Sequence, residues 1–214
     1  MKVGVLDYGV GNLGSVMRAL EELQATPLFI SRAVDIHDAD CLILPGVGHF
    51  ADCARLLEDG GWSSALRDEV LGNNRPLLGV CVGMQLLATY SMEGVDESYP
   101  NGIPGLDLVP GMVEHLRVMG CPLRVPHVGW NSIKCVAPIP SLLDGISDGT
   151  DFYFVHSYAF NAKNPSDVIA TVDYGVEVAA AIQHANIWGT QFHPEKSSRA
   201  GLRLLQNFIF KNLC

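Results

Sequence analysis

Long apolar runs are missing from this 214-residue sequence, and nothing in it approaches the roughly 18 consecutive apolar residues of a membrane-spanning helix. A soluble chain is expected. The opening run of residues 1–6 is too short for a signal-peptide core and stops at the polar Asp7, so the cytoplasm is the expected compartment. Basic charge is scarce: 14 Lys and Arg stand against 23 Asp and Glu, a formal net charge of -9. That excludes the general basic surface on which nucleic acid or anionic lipid binds, and leaves a small molecule or another protein as partner. Cys-x-x-Cys pairs are absent too. The six cysteines (Cys41, Cys53, Cys81, Cys121, Cys135 and Cys214) follow no disulfide or zinc spacing, so reduced thiols and no metal or organic cofactor are expected.

What is present is enough hydrophobic residue, 48%, to bury one substantial core, and a single domain over residues 1–214 is expected. Short Val, Ile and Leu runs at 3–6, 42–44, 77–80, 152–155, 168–172, 178–182 and 187–191 read as buried strands. Helical periodicity separates the early ones, as at Leu13, Val16, Met17, Leu20 and Leu23, and returns at 202–213 after two candidate caps, Ser197 and Ser198. Alternation in the first half implies parallel crossovers, and close spacing in the second implies antiparallel strands. The expected fold is α/β, an open mixed and mostly parallel sheet flanked by helices. The Pro- and Gly-rich stretch 99–111 reads as a surface loop, and residues 126–131 as a turn.

In such a sheet the chemistry belongs at the carboxyl ends of parallel strands. Gly79-Val80-Cys81-Val82-Gly83 carries a strand into a helix, with glycines flanking a cysteine as in a nucleophile elbow. A thiol at that helix N-terminus gains about 0.3 to 2 kcal/mol toward thiolate. The pattern alone fits a structural cysteine equally well. A base is supplied by Thr190-Gln191-Phe192-His193-Pro194-Glu195, where an imidazole ends a strand and a carboxylate follows two residues later. Leu44-Pro45-Gly46-Val47-Gly48 ends another strand in a turn whose N–H groups, with that of Val82, could hold an oxyanion. Gly9-Val10-Gly11-Asn12-Leu13-Gly14 matches the dinucleotide fingerprint in spacing and context. It lacks the acid after the second strand, where Ser31 and Arg32 stand, although Arg32 would suit a 2′-phosphate.

These motifs together resemble the class I, triad-type glutamine amidotransferases, whose fold is flavodoxin-like. Within that family Asp7-Tyr8-Gly9-Val10-Gly11-Asn12, Pro126-His127-Val128-Gly129-Trp130-Asn131, Phe154-Val155-His156-Ser157-Tyr158 and Gln191 to Lys196 are similar to the glutaminase subunits of imidazole glycerol phosphate synthases. The resemblance implies a triad of Cys81, His193 and Glu195. It also implies an oxyanion turn of Val47, Gly48 and Val82, substrate contacts from Gln85, Glu93 and Ser157, and a heterodimer with a TIM-barrel cyclase that Asn12, Trp130, Tyr153 and Lys196 would face. Val82 and His49 depart from the residues common at their positions; His49 adds a titratable group beside the oxyanion turn. Three other readings stay open: a nicotinamide-dependent oxidoreductase, a non-catalytic interaction module, and a glutaminase serving pyridoxal phosphate, anthranilate or GMP synthesis.

Overall fold

The computed structural model describes residues 1–136, 138 and 140–211. Cys214 and the end of the 202–213 helical pattern lie outside them. Along the chain run β1 (Lys2–Leu6), α1 (Leu13–Glu22), β2 (Thr26–Ile30), β3 (Cys41–Gly46), α2 (Phe50–Asp59), α3 (Trp62–Arg67), β4 (Leu77–Cys81) and α4 (Val82–Leu86). Then come β5 (Tyr90–Ser91), β6 (Ile103–Pro104), β7 (Gly111–His115), β8 (His127–Cys135), β9 (Asp151–His156) and β10 (Tyr158–Ala162). The last elements are β11 (Val168–Asp173), β12 (Glu177–His184), β13 (Ile187–Thr190) and α5 (Ser198–Lys211). Among the described residues no helix is long and apolar enough to cross a membrane.

A nine-stranded sheet runs β2-β1-β3-β4-β13-β12-β11-β8-β9. Its β2-β1-β3-β4-β13 part is parallel, and the strands beyond β13 pair antiparallel. Every residue of β3 and β4 is buried, which is why these strands read as unbroken apolar runs instead of alternating ones. Helix α1 turns Val16, Ala19 and Leu20 inward. The parallel register sets Gly46 beside Cys81 and Thr190 beside Val80, so β3, β4 and β13 end together. Segments far apart in the chain thereby share one rim.

A second sheet, β10-β7-β5-β6, has no counterpart in the sequence pattern. It corrects the expectation of a surface loop at 99–111: Ile103 and Leu106 are buried, Leu108 and Val109 likewise, and β6 and the start of β7 fall within that stretch. The expected turn at 126–131 is corrected as well. His127 to Asn131 form the first half of a strand, running antiparallel to β9 from the His127–His156 pair to the Asn131–Phe152 pair. Backbone pairing of this half of β8 to β9 overrides the local turn preference of the glycine at 129.

Candidate active site

Cys81 ends β4 with φ 56° and ψ -113°, a conformation that non-glycine residues rarely adopt. Glycines make the bend possible. A Cβ on Gly79 would come within 2.6 Å of the Gly83 carbonyl oxygen, one on Gly46 within 2.5 Å of the Gly83 nitrogen, and one on Gly83 would overlap the Leu44 carbonyl. Close backbone approach among β3, β4 and α4 thus seats the cysteine at the first turn of α4, as the elbow pattern predicts. Its side chain is almost wholly buried; the sulfur lies 3.8 Å from the Val155 carbonyl and 3.9 Å from Gln191 Nε2.

His193 follows β13 and is fixed from three sides. Its N–H donates to the Tyr153 carbonyl (3.0 Å), its own carbonyl accepts from Ser197 Oγ (2.6 Å), and Ser197 Oγ accepts in turn from Tyr153 N–H (3.0 Å). Phe192 stacks on Phe152 at 4.0 Å between ring centres and anchors the segment to β9. The sequence pattern offers Ser197 as a helix cap; its hydroxyl instead ties the His193 loop to β9. Imidazole Nδ1 sits 2.8 Å from Glu195 Oε1, with both side chains 2% exposed. A carboxylate can only accept there, so Nδ1 carries the proton.

The other ring nitrogen, Nε2, is buried with no hydrogen-bond partner, and the charges acting on the imidazole come from Cys81 and Glu195. Loose catalytic contacts of this kind are common before substrate binds. Burial opposes charge on His193, but bonding and charge from Cys81 and Glu195 outweigh it and push the imidazole up to about 9. Three thiols outside the cavity are held protonated: burial pushes Cys41 up to about 12, and Cys53 and Cys135 up to about 11.

A cavity of about 290 Å³ opens beside Cys81 and His193, and Val47, Gly48, Val82, Gln85, Glu93 and Ser157 all line it. Each residue expected to touch substrate or oxyanion therefore reaches one space. Gly48 takes φ +99°. The Val47 carbonyl accepts from Cys53 Sγ at 3.6 Å and the Pro45 carbonyl from Tyr8 Oη at 2.9 Å, so two buried groups brace the turn from behind. A trans peptide whose oxygen faces Cys53 aims the Gly48 N–H the opposite way. Glu93 accepts from the Phe50 N–H at 2.9 Å, at the start of α2; burial raises its pKa, and that N–H and the charges of His49 and His115 oppose the rise. Gln85 donates to the Tyr158 carbonyl (2.9 Å) and to Gln191 Oε1 (3.1 Å). Both hydrogens of its amide nitrogen are used, which leaves its oxygen to meet a donor such as an ammonium.

The residues expected to face a partner separate into a cluster and an outlier. Trp130 and Tyr153 are cross-strand partners with ring centres 6.1 Å apart, and Lys196 Nζ lies 6.0 Å from the Tyr153 ring centre. Val128 and Val155, paired on the same ribbon, extend this face; Trp130 is 53% exposed and Val128 55%, an apolar patch on a strand pair. Asn12 precedes α1 as its N-cap without a side-chain cap bond. His49 is half exposed, its Nδ1 3.9 Å from Asp52.

The dinucleotide reading loses the phosphate contact that Arg32 would have supplied. Arg32, which would have met a 2′-phosphate, is held by Asp35 through two 2.7 Å bonds, and none of residues 9–14 lines the cavity beside Cys81 and His193.

A family model described as glutamine amidotransferase class-I matches residues 4–212. The chain belongs to the class-I glutamine amidotransferase family. Among curated relatives, it is 46% identical over 213 residues to imidazole glycerol phosphate synthase subunit HisH 1 of Prochlorococcus marinus, covering 98% of this chain and 97% of that one. It is 45% identical to imidazole glycerol phosphate synthase subunit HisH of Rhodospirillum rubrum, with 98% of both chains covered. A solved structure titled as that of a glutamine amidotransferase superimposes with a TM-score of 0.74 over 97% of this chain and 96% of the other, at 20% identity. At that identity the likeness speaks for the amidotransferase fold alone.

Proposed function

We propose that this chain is the glutaminase subunit of an imidazole glycerol phosphate synthase in histidine biosynthesis, a cytoplasmic protein that works as a heterodimer with a TIM-barrel cyclase. The observation that carries the chemistry is the buried 2.8 Å His193–Glu195 pair beside a cysteine on a strained elbow, all at one cavity.

Cys81 thiolate attacks the side-chain amide carbon of glutamine, and the amide oxygen becomes an oxyanion received by the N–H groups of Val82 and the 47–48 turn. Collapse breaks the C–N bond while protonated His193 delivers a proton to the departing nitrogen, releasing ammonia and leaving a glutamyl thioester. His193, now neutral, takes a proton from water; the resulting hydroxide attacks the thioester, and Cys81 departs as thiolate with glutamate as product. Gln85, Glu93 and Ser157 hold the amino-acid end of the substrate, with the free Gln85 oxygen and the Glu93 carboxylate accepting from its ammonium. Ammonia passes to the cyclase, which uses it to form imidazole glycerol phosphate and aminoimidazole carboxamide ribonucleotide.

Glu195→Gln should retain about a hundredfold more glutaminase activity than His193→Ala, since orientation is lost while the base survives. Steady-state ammonia release by the two variants in complex with the cyclase checks this; a Glu195→Gln enzyme as active as wild type would make the carboxylate structural.

The Trp130, Tyr153 and Lys196 cluster with its flanking valines supports docking on the β8–β9 ribbon, directly behind the Tyr153 carbonyl that holds His193. Trp130→Ala should weaken cyclase binding by roughly 2 kcal/mol or more, read by titration calorimetry. Lys196→Ala should lower the stimulation of glutaminase activity by cyclase and its ribonucleotide ligand without changing the melting temperature of the isolated chain. Stimulation by a different synthase in place of the cyclase would reject the histidine-pathway assignment and spare the glutaminase one.

A further inference from the structure

Two histidines that the proposed chemistry does not use lie in direct contact beneath the β8–β9 ribbon. His127 is 2% and His156 6% exposed, and His127 Nδ1 is 3.0 Å from His156 Nε2. The His127 ring is sandwiched between Phe154 (4.8 Å between centres, 16° between planes) and Tyr174 (3.9 Å, 20°). Burial drives His127 down to about 4 and His156 to about 3, so both are neutral across the working range. A neutral imidazole has one donor and one acceptor nitrogen, so each contact dictates the next.

His156 Nδ1 is 2.9 Å from the Tyr158 carbonyl, an acceptor only, so His156 carries its hydrogen on Nδ1. Its Nε2 is then a bare lone pair, and the hydrogen between the rings must come from His127 Nδ1. His127 Nε2 is left as acceptor, and Asn131 Nδ2 stands 3.3 Å from it. The orientation of that amide is fixed independently: Nδ2 also donates to the Asp173 carbonyl at 2.9 Å, and the oxygen accepts the Ser132 N–H at 2.8 Å. Every donor and acceptor is assigned, all hydrogens point one way from Asn131 to Tyr158, and no member can reverse alone without setting two donors or two lone pairs face to face.

The far end of this relay is a wall of the active-site cavity. The Tyr158 carbonyl takes one bond from His156 and one from Gln85 Nε2, and residues 156–158 all line the space beside Cys81. We propose that His127 is a positioning residue for glutamine: through Asn131→His127→His156→Tyr158 it holds the Ser157–Tyr158 backbone and the Gln85 amide in the geometry that receives the substrate's amino-acid end. The substrate identity rests on the glutaminase reading above; the relay itself does not.

Two experiments separate the parts. On the isolated wild-type chain with ¹⁵N-labelled histidine, both rings should show the Nδ1–H tautomer by two-dimensional NMR. An Nε2–H tautomer or an imidazolium at either ring at pH 7 overturns the relay, whatever the enzyme acts on. In the cyclase complex, His127→Leu leaves the His156 lone pair without a donor and should raise KM for glutamine about tenfold, with kcat the lesser change. His127→Asn places an amide N–H where Nδ1 stood and should recover KM to within a few-fold of wild type. A loss carried by kcat, or equal defects in the Leu and Asn variants, overturns the positioning role. A wild-type complex that turns over no glutamine, with the tautomers as stated, would instead reject the glutaminase reading and leave the relay standing.

Discussion

Cys81→Ala should lower glutamine hydrolysis by on the order of ten-thousand-fold or more while the chain folds and binds its partner as before. The loss is that large because the covalent step has no substitute: none of the other described thiols lines the cavity, and burial raises Cys41, Cys53 and Cys135 far above neutrality. Folding should survive because alanine occupies less space than cysteine at a site already accommodating φ 56°, and the sulfur's contacts, at 3.8 and 3.9 Å, are long and weak. Ammonia release in a coupled assay and a thermal melt check the two halves. Activity within a hundredfold of wild type would reject Cys81 as nucleophile.

His193→Ala should cost nearly as much, and the wild-type protein should reveal the same group through pH. The imidazole's ordinary value of 6.5 is raised to about 9. A raised histidine stabilises the folded state fully below 6.5, and that contribution is lost as pH rises through about 9. In the proposed mechanism the protonated form is also the one that hands a proton to the leaving ammonia, so kcat/KM should fall on the alkaline side near 9. Stability compared between wild type and His193→Ala should converge over the same window, from a difference of a few kcal/mol at most. Convergence below pH 6, or a flat profile between 7 and 10, would contradict the coupling to Cys81 and Glu195.

Much of this site is legible in the amino-acid sequence because parallel strands deliver their carboxyl ends to one rim. Cys81, the 45–48 turn and His193 each follow an apolar run, and the order β3-β4-β13 brings those runs side by side. Features made by pairing at a distance are less legible. Strand β8 carries a glycine at its third position and follows a proline, a local turn signature, and exists through its ladders with β9 and β11. The second sheet rests on two-residue strands, β5 and β6, too short to show a period. Ser197 resembles any helix cap, and only the fold shows its hydroxyl between His193 and Tyr153. Gln191 belongs to a motif that the sequence displays, yet its contact with the sulfur and with Gln85 needs β13 set beside β4. His127 and His156 are 29 residues apart with nothing local to link them; opposite positions on paired strands do so.

The most direct test of the central claim treats the cyclase complex with an electrophilic diazo-ketone analogue of glutamine and maps the modified peptide by mass spectrometry. One adduct should form per chain, on Cys81, in step with loss of ammonia release, and none on the Cys81→Ala protein. Labelling of Cys41, Cys53, Cys121 or Cys135 in place of Cys81, or full inactivation with Cys81 unmodified, would contradict it.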